Sequence, residues 1–235
     1  MNQWILLSNL IHSYDEYSNL LQTKRFMTSQ NALPIKQRYR IEPVAEFVTF
    51  NMQQVERIFE KNHDFTSLDV HDRLILLRHT IKHTGCFGAT FVLHQSQILD
   101  DPLFFIATET IFTPTVMSTI QPITRSFDVD PTFNKLILLI LAFSTINYTN
   151  FETNLNENLL NLQRILRIQD NYIEITWKYL VYRYTYVQAI QRFCQLLRCL
   201  FRINHTIATV DRNRDYTKII DSVVEKTEEL IFKHE

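Results

Sequence analysis

Two glycines in 235 residues, Gly85 and Gly88, set the strongest limit on what this chain can fold into. Sheet-rich folds need glycine in their tight turns, and phosphate-binding loops need it where backbone must approach a ligand closely. Both classes are therefore disfavoured. The six prolines all lie at or before Pro131, so everything beyond is free of both strong helix breakers. An all-α fold is expected. A hydrophobic fraction of 46 % with 21 % charged residues is enough for a packed core and argues against long disorder. No repeat or low-complexity stretch appears, which favours one domain over residues 1–235.

Charge narrows the partners. Lysine plus arginine number 24 against 25 acidic residues, so no basic excess points to nucleic acid. Cys86, Cys194 and Cys199 form a sparse, odd set, as expected of reduced intracellular thiols. The apolar run at Trp4–Leu7 has no basic residue before it, so a signal peptide is not expected. The strongest apolar run, 136–143, is far too short to span a bilayer.

Apolar residues at three- and four-residue steps predict helices over much of the chain. The first is expected over 4–21, from Trp4 to Leu21, followed by a polar loop over 22–42. A helix opened by Pro43 should run to about Asn62, and one capped by Ser67 or Asp69 should carry Leu74 to Leu93 through the centre of the domain. Residues 103–112 are rich in aromatic and β-branched residues, and a short hairpin is expected there at most. Asp130-Pro131 opens an apolar helix, Asn154 could cap a long one, and further helices are expected through 182–210 and within 215–233.

One pattern is more specific. Phe65-x-x-Leu68-x-x-x-Asp72-Arg73-x-x-Leu76-Leu77-Arg78 resembles the signature joining helices 3 to 5 of nuclear-receptor ligand-binding domains. Phe127 to Pro131, leading into Leu136-Ile137-Leu138-Leu139, resembles that family's helix 7 to helix 8 passage. Ile168 to Tyr172, Tyr179-Leu180, and Arg192-Phe193-x-x-Leu196-Leu197-x-x-Leu200 resemble its helices 9 and 10, so the likeness covers most of 43–205. It implies a three-layer antiparallel helical sandwich around an interior pocket. The family's DNA-binding half needs two zinc modules and about eight cysteines. Three scattered cysteines do not supply them, so direct nucleic-acid binding is not implied.

Three sites are implied by the resemblance. The ligand pocket would use Phe47, Val48 and Asn51 from helix 3, with Ile81, Gly85, Cys86 and Ala89 from helix 5. Asn51 would orient a ligand on an otherwise apolar face. Val92 stands where receptors for carboxylate ligands carry arginine, which argues against an acidic ligand. The coregulator groove would use Glu56, Glu60, Leu74, Leu77 and Arg78, with Glu60 where the family has a lysine. The last activation helix matches either 219–224 or 226–231, neither fully. A dimer interface would use Gln195, Leu196, Arg198, Cys199 and Arg202 on the helix at 192–203.

The functional expectation is a transcription regulator of the nucleus, with the cytoplasm as a second location. It would bind a small hydrophobic ligand and coregulator proteins and would dimerise with itself or a related chain. Two alternatives stay open: a ligand-free dimerisation partner of such receptors, and a soluble carrier of hydrophobic ligands. No enzyme is expected, and no cofactor, metal or membrane. His79 and His83 lie one helical turn apart, but no third ligand or general-base glutamate accompanies them, as zinc chemistry would need. No Gly-x-Ser-x-Gly elbow exists either.

Overall fold

The computed structural model describes residues 19–144, 159–210 and 221–229, and among these every regular element is helical. The expected helix at 4–21 and the cap at Asn154 lie almost wholly outside the described residues. The helices are α1 (Asn19–Asn31), α2 (Ile41–Gln53), α3 (Glu56–Lys61), α4 (His63–Thr66), α5 (Val70–Ser96), α6 (Pro102–Phe112), α7 (Pro114–Arg125), α8 (Pro131–Ala142), α9 (Leu162–Arg183) and α10 (Tyr186–Val210). A further helical stretch covers 221–229.

Aspartates start three of them. The Asp69 carboxylate accepts from His71 N–H, Asp101 from Leu103 and Phe104, and Asp130 from Thr132 and Phe133. Each satisfies amide donors that a first helical turn leaves unpaired. Pro102 and Pro131 follow two of these caps, where a missing N–H costs nothing. The cap explains why 102–112 is helix and not a hairpin: Asp101-Pro102 outweighs the β-leaning composition behind it. The loop expected over 22–42 is also corrected. Its first part is α1, held by Phe26 stacked on Phe47 at 4.4 Å and by Tyr39 N–H donating to Gln30 Oε1 at 2.8 Å. These are tertiary contacts that local polarity cannot reveal.

Helix α5 lies at the centre, packing against α1, α2, α7, α8 and α10. Both glycines of the chain sit in its middle, with ordinary helical backbone. Close approach explains Gly88 but not Gly85. A methyl on Gly88 would meet Val55 Cγ2 at 3.1 Å, while one on Gly85 would meet Met52 Cε at an ordinary 3.4 Å. The core around α5 is dominated by aromatics, with Phe59, Phe65, Phe87, Phe104, Phe133, Phe143 and Tyr172 almost wholly enclosed. Burying each such side chain stabilises the fold by roughly 1.5–3 kcal/mol.

Polar clasps fix the second half to this core. Asp72 is fully buried, and its carboxylate accepts from the backbone N–H groups of Leu160 at 2.6 Å and Asn161 at 3.0 Å, at the start of α9. Asn62 Nδ2 donates to the Tyr172 hydroxyl, which itself donates to Asp64, joining α4 to α9. Asp130 accepts from the hydroxyls of Tyr179 and Tyr184, and Arg192 grips Asp128 with two bonds of 2.6 and 2.7 Å. No helix among the described residues is long and apolar enough to cross a membrane.

Candidate functional site: an apolar cavity between five helices

A cavity of about 90 Å³ lies between α2, α5, α6, α7 and α10. Of the seven residues the sequence nominated for a pocket, Phe47, Val48, Asn51, Cys86 and Ala89 line it. Ile81 and Gly85 do not. Ile81 faces the main core one helical phase away, and Gly85 is turned towards Met52. The rest of the wall includes further residues of α2 and α5, such as Met52 and Leu93, and residues of helices that were not nominated: Phe104, Thr108 and Phe112 of α6, Val116 and Ile120 of α7, and Ile203 and Ile207 of α10. The four-residue spacing of 104, 108 and 112 is a helical signal that was readable once Asp101 was taken as a cap.

Aromatic packing explains the small volume. Phe47 lies between Phe26, stacked at 4.4 Å, and Phe104, edge-on at 5.8 Å, while Tyr39 closes on Phe104 at 5.6 Å. Ordinary ligand pockets hold roughly 300–1,000 Å³, so this one suits only a very small guest unless the aromatic wall moves.

The wall carries few polar groups, and most are already occupied. The hydroxyls of Thr90, Thr108 and Thr206 each donate to a backbone carbonyl of their own helix. Asn51 is different. Its Nδ2 donates to the Phe47 carbonyl at 2.8 Å, but its Oδ1 is buried with no hydrogen-bond partner. The residue is only 4 % exposed. An unmet buried acceptor costs about 1–3 kcal/mol.

The implied coregulator surface meets another part of the chain at two of its residues, Arg78 and Glu56. Arg78 Nε donates to Glu228 Oε1 at 2.6 Å, and Val223 and Thr227 are buried. Burial pushes the Glu56 carboxyl up to about 6, with Thr227 and Lys226 lowering it and the neighbouring Glu60 raising it. Leu77 is wholly buried and Leu74 half-buried against the main core. The groove residues Glu56 and Arg78 thus both meet the stretch 221–229, Glu56 half-buried and Arg78 still largely open to solvent. The 219–224 and 226–231 alternatives both fall partly outside the described residues.

The implied dimer face needs a correction. Leu196 and Cys199 point inward with Ala189, Ile203 and Ile207, because α10 turns that phase towards α5 and α7. Gln195 Nε2 donates to the Ser126 carbonyl at 3.1 Å, and burial raises the Cys199 thiol above its ordinary pKa. Only Arg198 and Arg202 of the five are exposed. The outward apolar stripe is instead Val187, Ile190, Leu197 and Phe201, with Cys194 between them. Among the described residues, no group of three His, Cys, Asp or Glu is placed to hold a metal.

No family model, curated protein or solved structure matches this chain.

Proposed function

We propose that this chain is a ligand-binding regulatory domain of nuclear-receptor type, acting in the nucleus through protein contacts and a small apolar ligand. The observation that carries this reading is the convergence on one cavity of Phe47, Val48, Asn51, Cys86 and Ala89, nominated from the signature at 65–78. The packing of α5 against α2 on one side and α8 and α10 on others agrees with a three-layer sandwich. The stretch 221–229, in contact with Arg78 and Glu56, overlaps both candidates for the helix such a domain would move on activation, 219–224 and 226–231, and supports the reading to that extent. Native mass spectrometry of protein purified from a lipid-rich host tests the ligand. One small apolar molecule per chain is expected, and an unliganded protein that takes up none of a hydrophobic panel overturns the reading.

A second reading, dimerisation with a second copy, is favoured by the outward face of α10. Val187, Ile190, Cys194, Leu197 and Phe201 follow alternating three- and four-residue steps, the spacing of a helix–helix seam. Phe201 stands 72 % exposed. A surface groove of about 630 Å³ lined by Val129, Ile190, Gln195 and Arg198 lies along the same helix. An antiparallel pairing centred near Gln195 and Leu196 would lay each Phe201 against the Ile190 end of the partner's groove. The patch then becomes self-complementary, as a two-fold axis requires. Sedimentation should show dimer at high micromolar concentration, and Phe201→Glu should give monomer with unchanged helical signal. A monomeric wild type removes this reading.

A further inference from the structure

We infer that the stretch 221–229 is an acid-strengthened clasp: it docks against Glu56 most firmly when that carboxyl is neutral and loosens as it ionises. The inference concerns this contact alone and stands whether or not the chain binds a ligand.

The contact buries more of a carboxyl than it satisfies. Val223 and Thr227, one helical turn apart, are both buried, and Thr227 lies beside the Glu56 carboxyl at the start of α3. Oε1 of Glu56 is buried with no hydrogen-bond partner. The Thr227 hydroxyl has a single proton, which goes to the Val223 carbonyl at 2.8 Å; shared with Glu56 it lowers the carboxyl, but less than burial raises it. When ionised, the buried oxygen has lost water and gained no donor, and a proton removes that cost. The facing charges do not remove it. Glu60 and Arg57, both on α3, act in opposite directions, and Lys226 of the stretch is exposed, where water weakens its pull. Arg78 of α5 is engaged by Glu228 at 2.6 Å. Protonating Glu228 would only weaken that pair, so tightening in acid cannot come from it. Burial first, with Glu60 adding to it, moves the Glu56 carboxyl from its ordinary 4.5 up to about 6. The docked state therefore holds the proton more tightly than the undocked one, and by linkage the proton favours docking. Docking is weakest above about 6 and gains as pH falls towards 4.5.

Amide hydrogen exchange of the full chain reads the clasp directly, once each rate is corrected for the intrinsic effect of pH. Protection of the amides at 225–229 should rise roughly eightfold between about pH 7.5 and about pH 5, the factor that a shift from 4.5 to about 6 gives. Glu56→Gln removes the ionising group, so its protection should stay level across that range and exceed wild type at the upper end. The carbon-13 resonance of the Glu56 carboxyl gives a second reading on wild type alone, with a titration midpoint near 6. That midpoint decides the question if the glutamine variant fails to fold. Wild-type protection that stays level or falls in acid overturns the inference. So does a rise that survives in Glu56→Gln, or a carboxyl midpoint at the ordinary 4.5.

Discussion

Replacing Asp72 with alanine is expected to destabilise the chain by about 3 kcal/mol, lowering the melting temperature by roughly 6–12 °C for a domain of this size. The cause is local. The carboxylate is fully buried, and its two oxygens accept from Leu160 and Asn161 at 2.6 and 3.0 Å. Hydrogen bonds to a charged acceptor are worth about 1.5–3 kcal/mol each, and alanine leaves two amide donors beside an empty space. Asp72→Asn keeps one oxygen and should cost about half as much. Thermal unfolding followed by circular dichroism measures both. An alanine variant as stable as wild type would mean that the start of α9 is not held by Asp72.

The second large effect concerns the cavity. Ala89→Leu adds three carbon atoms to the wall of a space of about 90 Å³. A leucine nearly fills it, whereas a tryptophan would overpack it and force the aromatic wall apart. The variant should therefore lose uptake of small apolar ligands by at least tenfold. It should keep or slightly gain stability, since filling a void restores dispersion contacts. Titration and thermal unfolding on the same sample separate the outcomes. Lost uptake with several kcal/mol lost in stability would mean that Ala89 faces packed core. Unchanged uptake would place the ligand elsewhere.

The sequence makes some of this legible and hides the rest for definite reasons. Helical content follows from glycine scarcity and from periodicity, and both glycines proved to lie within α5. Asp69 and Asp130 are readable as helix starts because short acidic side chains meet free amides. The same chemistry at Asp101-Pro102 was obscured by the aromatic and β-branched residues after it, and α6 with its share of the cavity wall went unseen. Asn51 stands out in the sequence as an isolated polar residue. That its oxygen is left unpaired depends on the Phe47 carbonyl lying 2.8 Å from its nitrogen, which only the folded backbone sets. The inward turn of Leu196 is a question of helical phase. Both faces of α10 carry apolar residues, so periodicity alone cannot decide which one meets the core.

The central claim is regulation through the cavity, and a transcriptional reporter tests it most directly. The chain would be fused to a heterologous DNA-binding module, with Ala89→Leu as the filled-cavity control, and exposed to small apolar ligands. Reporter output from the wild-type fusion should change severalfold with ligand, and the filled variant, expressed at the same level, should not respond. A fusion that is indifferent to every ligand the purified protein binds, or a response that persists in Ala89→Leu, would contradict the account.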